Sequence, residues 1–127
     1  MRPSLIFLVF LGGGIGSVCR YAMASTLQRS FPGPFPVGTF FVNLLGCFVI
    51  GLVGALGLER AAISPEARLF IMVGILGGFT TFSSFAWEAL GLLTVKDLLR
   101  ASLYVGGSVF CGLLGTFLGR AIGRIGA

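Results

Sequence analysis

Thr80, Thr81, Ser83 and Ser84 follow directly on Gly77–Gly78 and are interleaved with Phe79, Phe82 and Phe85. The run sits inside an apolar stretch long enough to cross a bilayer. Hydroxyls donate and accept hydrogen bonds. Two glycines beside them invite the helix to break. At membrane depth a broken backbone must be buried in protein or line a polar path, because lipid satisfies no N–H or C=O group. Unwound carbonyls converging on a point can hold a dehydrated cation such as Na⁺. The N-terminus of a half-helix favours an anion. A packing kink is the plainer alternative, and the density of hydroxyls argues against it.

Other polar groups lie where lipid penalises them. Asn43 falls within a second apolar stretch, where its amide either glues helices together or donates to an anion. Phe82 and Phe85 are spaced i, i+3. Their ordinary role is lipid or core contact, yet the positive edge of a phenyl ring can also face a small anion. Tyr104 and Ser108 are one helical turn apart and could form a hydroxyl track, with Thr39 as a further hydroxyl. Glu88 lies roughly two turns past the break. A membrane carboxylate is a candidate functional group, and Arg20 is a candidate partner for it.

The elements that must position these residues are membrane helices. The chain has 127 residues, of which 56% are hydrophobic and 10% charged, and a mean hydropathy of +1.03. A soluble domain of this size could not hide so much apolar surface. The length accommodates about four crossings of roughly 20 residues. The segments run over 4–27, 37–58, 69–93 and 98–122, forming one transmembrane domain over 1–127. The expected fold is therefore an all-α membrane protein with four transmembrane helices and a break in the third. Arg2 and the following apolar run resemble a signal peptide, but the run continues to Leu27 without a cleavage pattern and reads as a retained helix. Pro32, Gly33, Pro34 and Pro36 end the first helix. Ser64–Pro65 reads as an N-cap with proline at the first helical position.

Nine basic and four acidic residues give a net charge of +5. The basic residues are scattered at segment ends with no basic face, which argues against nucleic acid and for membrane flanks. One membrane face carries Arg2, Arg60, Arg68, Arg120 and Arg124. The other carries Arg29, Lys96 and Arg100, with Arg20 near it. This bias is weak, so insertion in both orientations is as consistent with the charges as insertion in one. Cys19, Cys47 and Cys111 fall in apolar segments without CxxC spacing, and the chain has no histidine. Zinc binding and Cys–His catalysis find no support, and the cysteines read as packing residues. Most of the glycines read as close helix packing.

Three motifs carry a family resemblance. They are Gly12–Gly13–Gly14–Ile15–Gly16–Ser17–Val18–Cys19–Arg20–Tyr21, Gly38–Thr39–Phe40–Phe41–Val42–Asn43–Leu44–Leu45–Gly46 and Gly74–Ile75–Leu76–Gly77–Gly78–Phe79–Thr80–Thr81–Phe82–Ser83–Ser84–Phe85. Together, over the whole chain, they resemble the bacterial Fluc/CrcB fluoride channels. The resemblance implies an antiparallel, dual-topology homodimer in the bacterial inner membrane, with two fluoride pores and a central structural Na⁺. It implies that backbone carbonyls at Gly77 and Thr80 of both subunits hold the Na⁺. It implies a fluoride path along Phe82, Phe85, Asn43, Thr39, Ser83, Tyr104 and Ser108, with Glu88 near the pore and Arg20 at the vestibule. The position one turn past Ser108 is Gly112, where some members of the family have a hydroxyl.

Three rival readings stand beside it. A small multidrug transporter has the same size and topology but needs a carboxylate in its first helix, where this chain has none. A proton-coupled fluoride exporter would use Glu88. A structural membrane subunit would explain the glycine faces but not the hydroxyl run. An enzyme is the least supported, since neither histidine nor paired carboxylates are present.

Overall fold

The computed structural model describes residues 2–125. It is all-helical, with no strand among the described residues. Four helical stretches are long and apolar enough to cross a membrane, namely Pro3–Ser30, Val37–Glu59, Pro65–Thr94 and Leu98–Arg124. The first is α1. The second is α2, α-helical over Val37–Gly54 and wider-turned over Ala55–Glu59. The third is α3, which runs from Pro65–Arg68 through a π-helical Leu69–Ile75 to Leu76–Phe79, followed by α4 over Phe82–Thr94. The fourth is α5, Leu98–Arg124.

Local chemistry explains where helices start and stop. Pro3 begins α1, where a missing N–H costs nothing. After Ser30 the proline-rich loop is tied down by Gln28. Its Nε2 donates to Gly33 O at 3.2 Å and Phe35 O at 3.3 Å, and its Oε1 accepts from Gly38 N at 3.3 Å. Ser64 accepts from Ala67 N at 3.2 Å with Pro65 behind it, so α3 begins a turn before Leu69. Asp97 caps α5 by accepting from Arg100 N.

Packing follows the small residues. A Cβ on Gly16 would lie 2.0 Å from Ile75 O, and one on Gly78 would lie 2.3 Å from Gly13 O. The α1 and α3 backbones therefore touch directly, an approach that only glycine permits. The α2–α5 interface works the same way, with a Cβ on Gly119 falling 2.0 Å from Phe48 O. Apolar side chains such as Phe10, Val18, Phe110 and Phe117 remain exposed on the outer faces, as expected where the solvent is lipid. A small interior cluster of Ala89, Leu92, Ala101 and Tyr104, joined by Phe35, Phe40 and Phe85, ties α4 to α5.

One end of the bundle is closed by ions. Arg120 Nε donates to Glu59 Oε1 at 2.6 Å, and Arg124 Nε pairs with Glu59 Oε2. Arg60 donates to the carbonyls of Gly123 and Ile125 at 3.2 Å each. Cations here complement the C-terminal carbonyls of α5.

Candidate functional site: a polar seam between α2, the α3–α4 junction and α5

The chain leaves helical geometry at Thr80 (φ −82°, ψ 157°) and Thr81 (φ −150°, ψ 119°). Gly77 and Gly78 themselves stay helical. Gly78 serves the contact with α1, and the extended residues are the threonines. Each threonine has its own partners. Thr80 Oγ1 donates to Leu76 O at 2.9 Å, folding its hydroxyl back on α3. Thr81 Oγ1 accepts from Ser84 N at 3.2 Å and donates to Ser84 Oγ at 3.1 Å, capping α4.

Asn43 fixes the junction from across the bundle. Its Nδ2 donates to Thr81 O at 2.9 Å, and its Oδ1 accepts from Thr81 N at 2.8 Å. That N–H would otherwise continue the α3 ladder to the Gly77 carbonyl. Asn43 thus satisfies an extended residue and leaves the Gly77 carbonyl without its helical donor. One of the two Nδ2 hydrogens is still unspent.

Two cavities flank this junction. One, of about 340 Å³, is lined by Asn43, Gly77, Thr80, Phe82, Phe85 and Ser108 among others. Phe82 is 79% exposed, and its ring centroid is 5.5 Å from that of Phe85. Ser108 Oγ is buried and has no hydrogen-bond partner among the described residues. The second, of about 270 Å³, includes Ser17, Arg20, Thr39, Thr81, Ser84 and Glu88. There Glu88 accepts from Thr39 Oγ1 at 2.8 Å through Oε1 and from Tyr104 Oη at 2.6 Å through Oε2. Tyr104 is fully buried, its ring 5.2 Å from Phe85 and 5.5 Å from Phe35.

A family model described as CrcB-like protein, Camphor Resistance (CrcB), matches residues 7–120. The chain belongs to the CrcB family. Its relatives include a protein named fluoride-specific ion channel FluC from a strain of Thermus thermophilus, 53% identical over 116 residues that cover 91% of each chain. A protein of the same name from Nitratidesulfovibrio vulgaris is 42% identical over 120 residues, covering 94% of this chain and 97% of its own. One from Aquifex aeolicus is 41% identical over 120 residues with the same coverage.

In this CrcB-family chain the candidate residues divide. Asn43, Thr80, Gly77, Phe82, Phe85 and Ser108 share the first cavity. Thr39, Glu88 and Arg20 share the second. Tyr104 donates its hydroxyl to Glu88. Ser83 is exposed and touches only Thr81 Oγ1, at 3.4 Å. Arg20 makes no ion pair with Glu88, whose two oxygens accept from the hydroxyls of Thr39 and Tyr104. The residue that organises the junction is Thr81, which bonds through its N–H, its carbonyl and its hydroxyl. Its sequence signal is the cap spacing of Thr81 to Ser84 ahead of an apolar helical run.

Proposed function

We propose that this protein is a passive, fluoride-selective channel that carries fluoride out of a bacterial cytoplasm and relieves its toxicity. The carrying observation is the 53% identity, over 91% of both chains, to a protein named a fluoride-specific ion channel. In this reading the chain is one four-helix transmembrane domain in the inner membrane. Two copies pair antiparallel and form two pores. The weak asymmetry of flanking arginines supports insertion in both orientations.

The chemistry of the seam supports fluoride. The ion is small and strongly hydrated, so a pore must replace its water with donors and still let it go. Neutral donors of modest strength meet both needs. Asn43, with an N–H to spare, lines one cavity together with Ser108, Phe82 and Phe85. Ser83 joins them at the exposed start of α4. Thr39 and Glu88 line the adjoining stretch, with the buried Tyr104 hydroxyl bonded to Glu88 behind them, and Arg20 raises the local anion concentration at the vestibule.

A structural Na⁺ belongs to the same reading, held by the carbonyls of Gly77 and Thr80 from both subunits. The residues fit such an ion. Gly77 is exposed, and its carbonyl lacks the N–H that a continuous helix would supply, since Thr81 N donates to Asn43. The ion would supply a fixed positive charge where two subunits meet.

The test is fluoride efflux from liposomes containing the purified protein, read by a fluoride electrode with valinomycin clamping the voltage. Fast release that ignores the pH gradient, with little chloride release, is expected. Release that requires a proton gradient would replace the channel with a proton-coupled exporter using Glu88. No release above empty liposomes, from an assembled dimer, would overturn the fluoride reading and favour a multidrug-type or structural role.

A further inference from the structure

A third cavity, of about 400 Å³, lies where the starts of α1 and α3 meet the end of α2. Its walls are mostly apolar, with Leu5 from α1, Leu58 from α2, and Leu69, Met72 and Val73 from α3. Leu58 and Val73 are exposed on the outside of the protomer. Both helices are wide-turned here, over Ala55–Glu59 and Leu69–Ile75, and π-helical turns recur at functional sites. One cation shares the cavity. Arg68 opens the apolar run of α3 and is half-buried. Its stem lies against α2 at Gly57, where a Cβ would fall 3.1 Å from Arg68 Cδ and 3.4 Å from its Cγ.

The Arg68 guanidinium has no ion pair among the described residues. Glu59, at the end of α2, is already engaged by Arg120 and Arg124. Glu66 lines the same cavity but is exposed, so water screens its charge. A half-buried cation gains from an anion, because partial desolvation raises the cost of leaving it uncompensated. An ordinary flanking arginine extends freely into water or headgroups. Arg68 instead has its stem packed on α2, with apolar walls one helical turn deeper at Met72 and Val73. The complementary occupant is an anion that carries an apolar chain. Basic pockets between transmembrane helices take anionic headgroups in this way.

We infer that this cavity binds an anionic phospholipid, with its phosphate on Arg68 and an acyl chain along Leu58, Met72 and Val73. Such a site requires only the membrane setting and is independent of which ion the protein carries.

The experiment mixes the purified full chain in detergent with equal amounts of phosphatidylglycerol and phosphatidylcholine. Lipid retained through size exclusion is counted by native mass spectrometry. Phosphatidylglycerol should be retained preferentially. Arg68→Gln should weaken its retention roughly fivefold, the effect of one arginine at an anionic surface, and Arg68→Lys should keep most of it. Val73→Trp, which fills the cavity from its exposed side, should also lose the lipid. Glu66→Gln should strengthen retention by removing a like charge. Arg29→Gln, in the last turn of α1, should match the parent. Circular dichroism should show each variant folded. Equal retention of the two lipids overturns the proposal, as does parental retention in both Arg68→Gln and Val73→Trp. Excess inorganic phosphate should leave the lipid in place, and its displacement would overturn the role of the acyl groove. Dimers that split in Val73→Trp with lipid retention unchanged would make this face a contact between copies and overturn the lipid site.

Discussion

Asn43 and Thr81 hold each other through two antiparallel hydrogen bonds, Nδ2 to the Thr81 carbonyl at 2.9 Å and the Thr81 amide to Oδ1 at 2.8 Å. The side-chain amide mimics a backbone partner. It lets an extended residue sit between two helices without an orphan polar group. The same pairing leaves one Nδ2 hydrogen of this cavity-lining residue unspent.

Asn43→Asp keeps the acceptor and loses the donor, and it sets a carboxylate beside the Thr81 carbonyl. Fluoride flux should fall at least about tenfold, since a donor is lost and a negative charge repels the anion. The protein should lose about 1–3 kcal/mol of stability, the usual cost of leaving a buried polar group unsatisfied. Dimers should still form on size-exclusion chromatography. Parental flux in this variant would remove Asn43 from the path.

Phe82→Ile keeps apolar bulk and removes the ring quadrupole. Because Phe82 is largely exposed in the protomer, the fold should be unaffected in circular dichroism while efflux drops. Unchanged efflux would show that the ring edge contributes nothing to permeation.

Tyr104→Phe removes the donor to Glu88 Oε2 and keeps the ring contacts with Phe35 and Phe85. A side-chain hydrogen bond contributes about 0.5–1.5 kcal/mol. Thermal unfolding in detergent should shift down by several degrees, as that energy implies for a domain of this size. Tyr104→Phe combined with Glu88→Ala should cost less than the sum of the singles, because both remove the same bond. Strict additivity would break the assignment.

Gly119→Ala should be far more disruptive than its size suggests. The new methyl would meet the Phe48 carbonyl at 2.0 Å, and backbone cannot rotate away as a side chain can. Yield of folded protein should fall sharply. Gly13→Ala, where a Cβ meets nothing within 4 Å, is the matched control and should behave like the parent.

Asp97 couples the start of α5 to pH. The Arg100 side-chain hydrogen bond, and then the bond from the Arg100 backbone, hold its carboxyl below the ordinary value of 3.8. The folded form thus favours the carboxylate. Its contribution is present above the unfolded value and is lost as pH falls through the lower folded one. Hydrogen-exchange protection in the first turn of α5, measured against the intrinsic rate at each pH, should fall on acidification below about pH 4, and Asp97→Ala should remove that protection at neutral pH. An Asp97→Ala protein with parental exchange would show that the cap is idle.

The four apolar stretches were legible in the sequence because partition into lipid is a sum over local residues. Boundaries at Pro36 and Ser64–Pro65 were legible because proline geometry and capping act over one turn. The density of hydroxyls around Thr80–Ser84 marked the polar seam for the same reason, and three motifs pointed to the family. Partnerships were another matter. Arg20 is the charge-matched candidate for Glu88, yet Thr39 and Tyr104 take both oxygens. Tyr104 and Ser108 share a helix face, yet one bonds Glu88 and the other is left unpaired. Gly77–Gly78 mark the junction, yet the extended residues are Thr80 and Thr81. The sequence by itself determined the apolar lengths, the caps and the polar residue types, which depend on near neighbours. Only the tertiary structure decided which donor meets which acceptor. Those contacts join residues 38 and 49 positions apart in the chain, and helix rotation and glycine-mediated approach set their geometry.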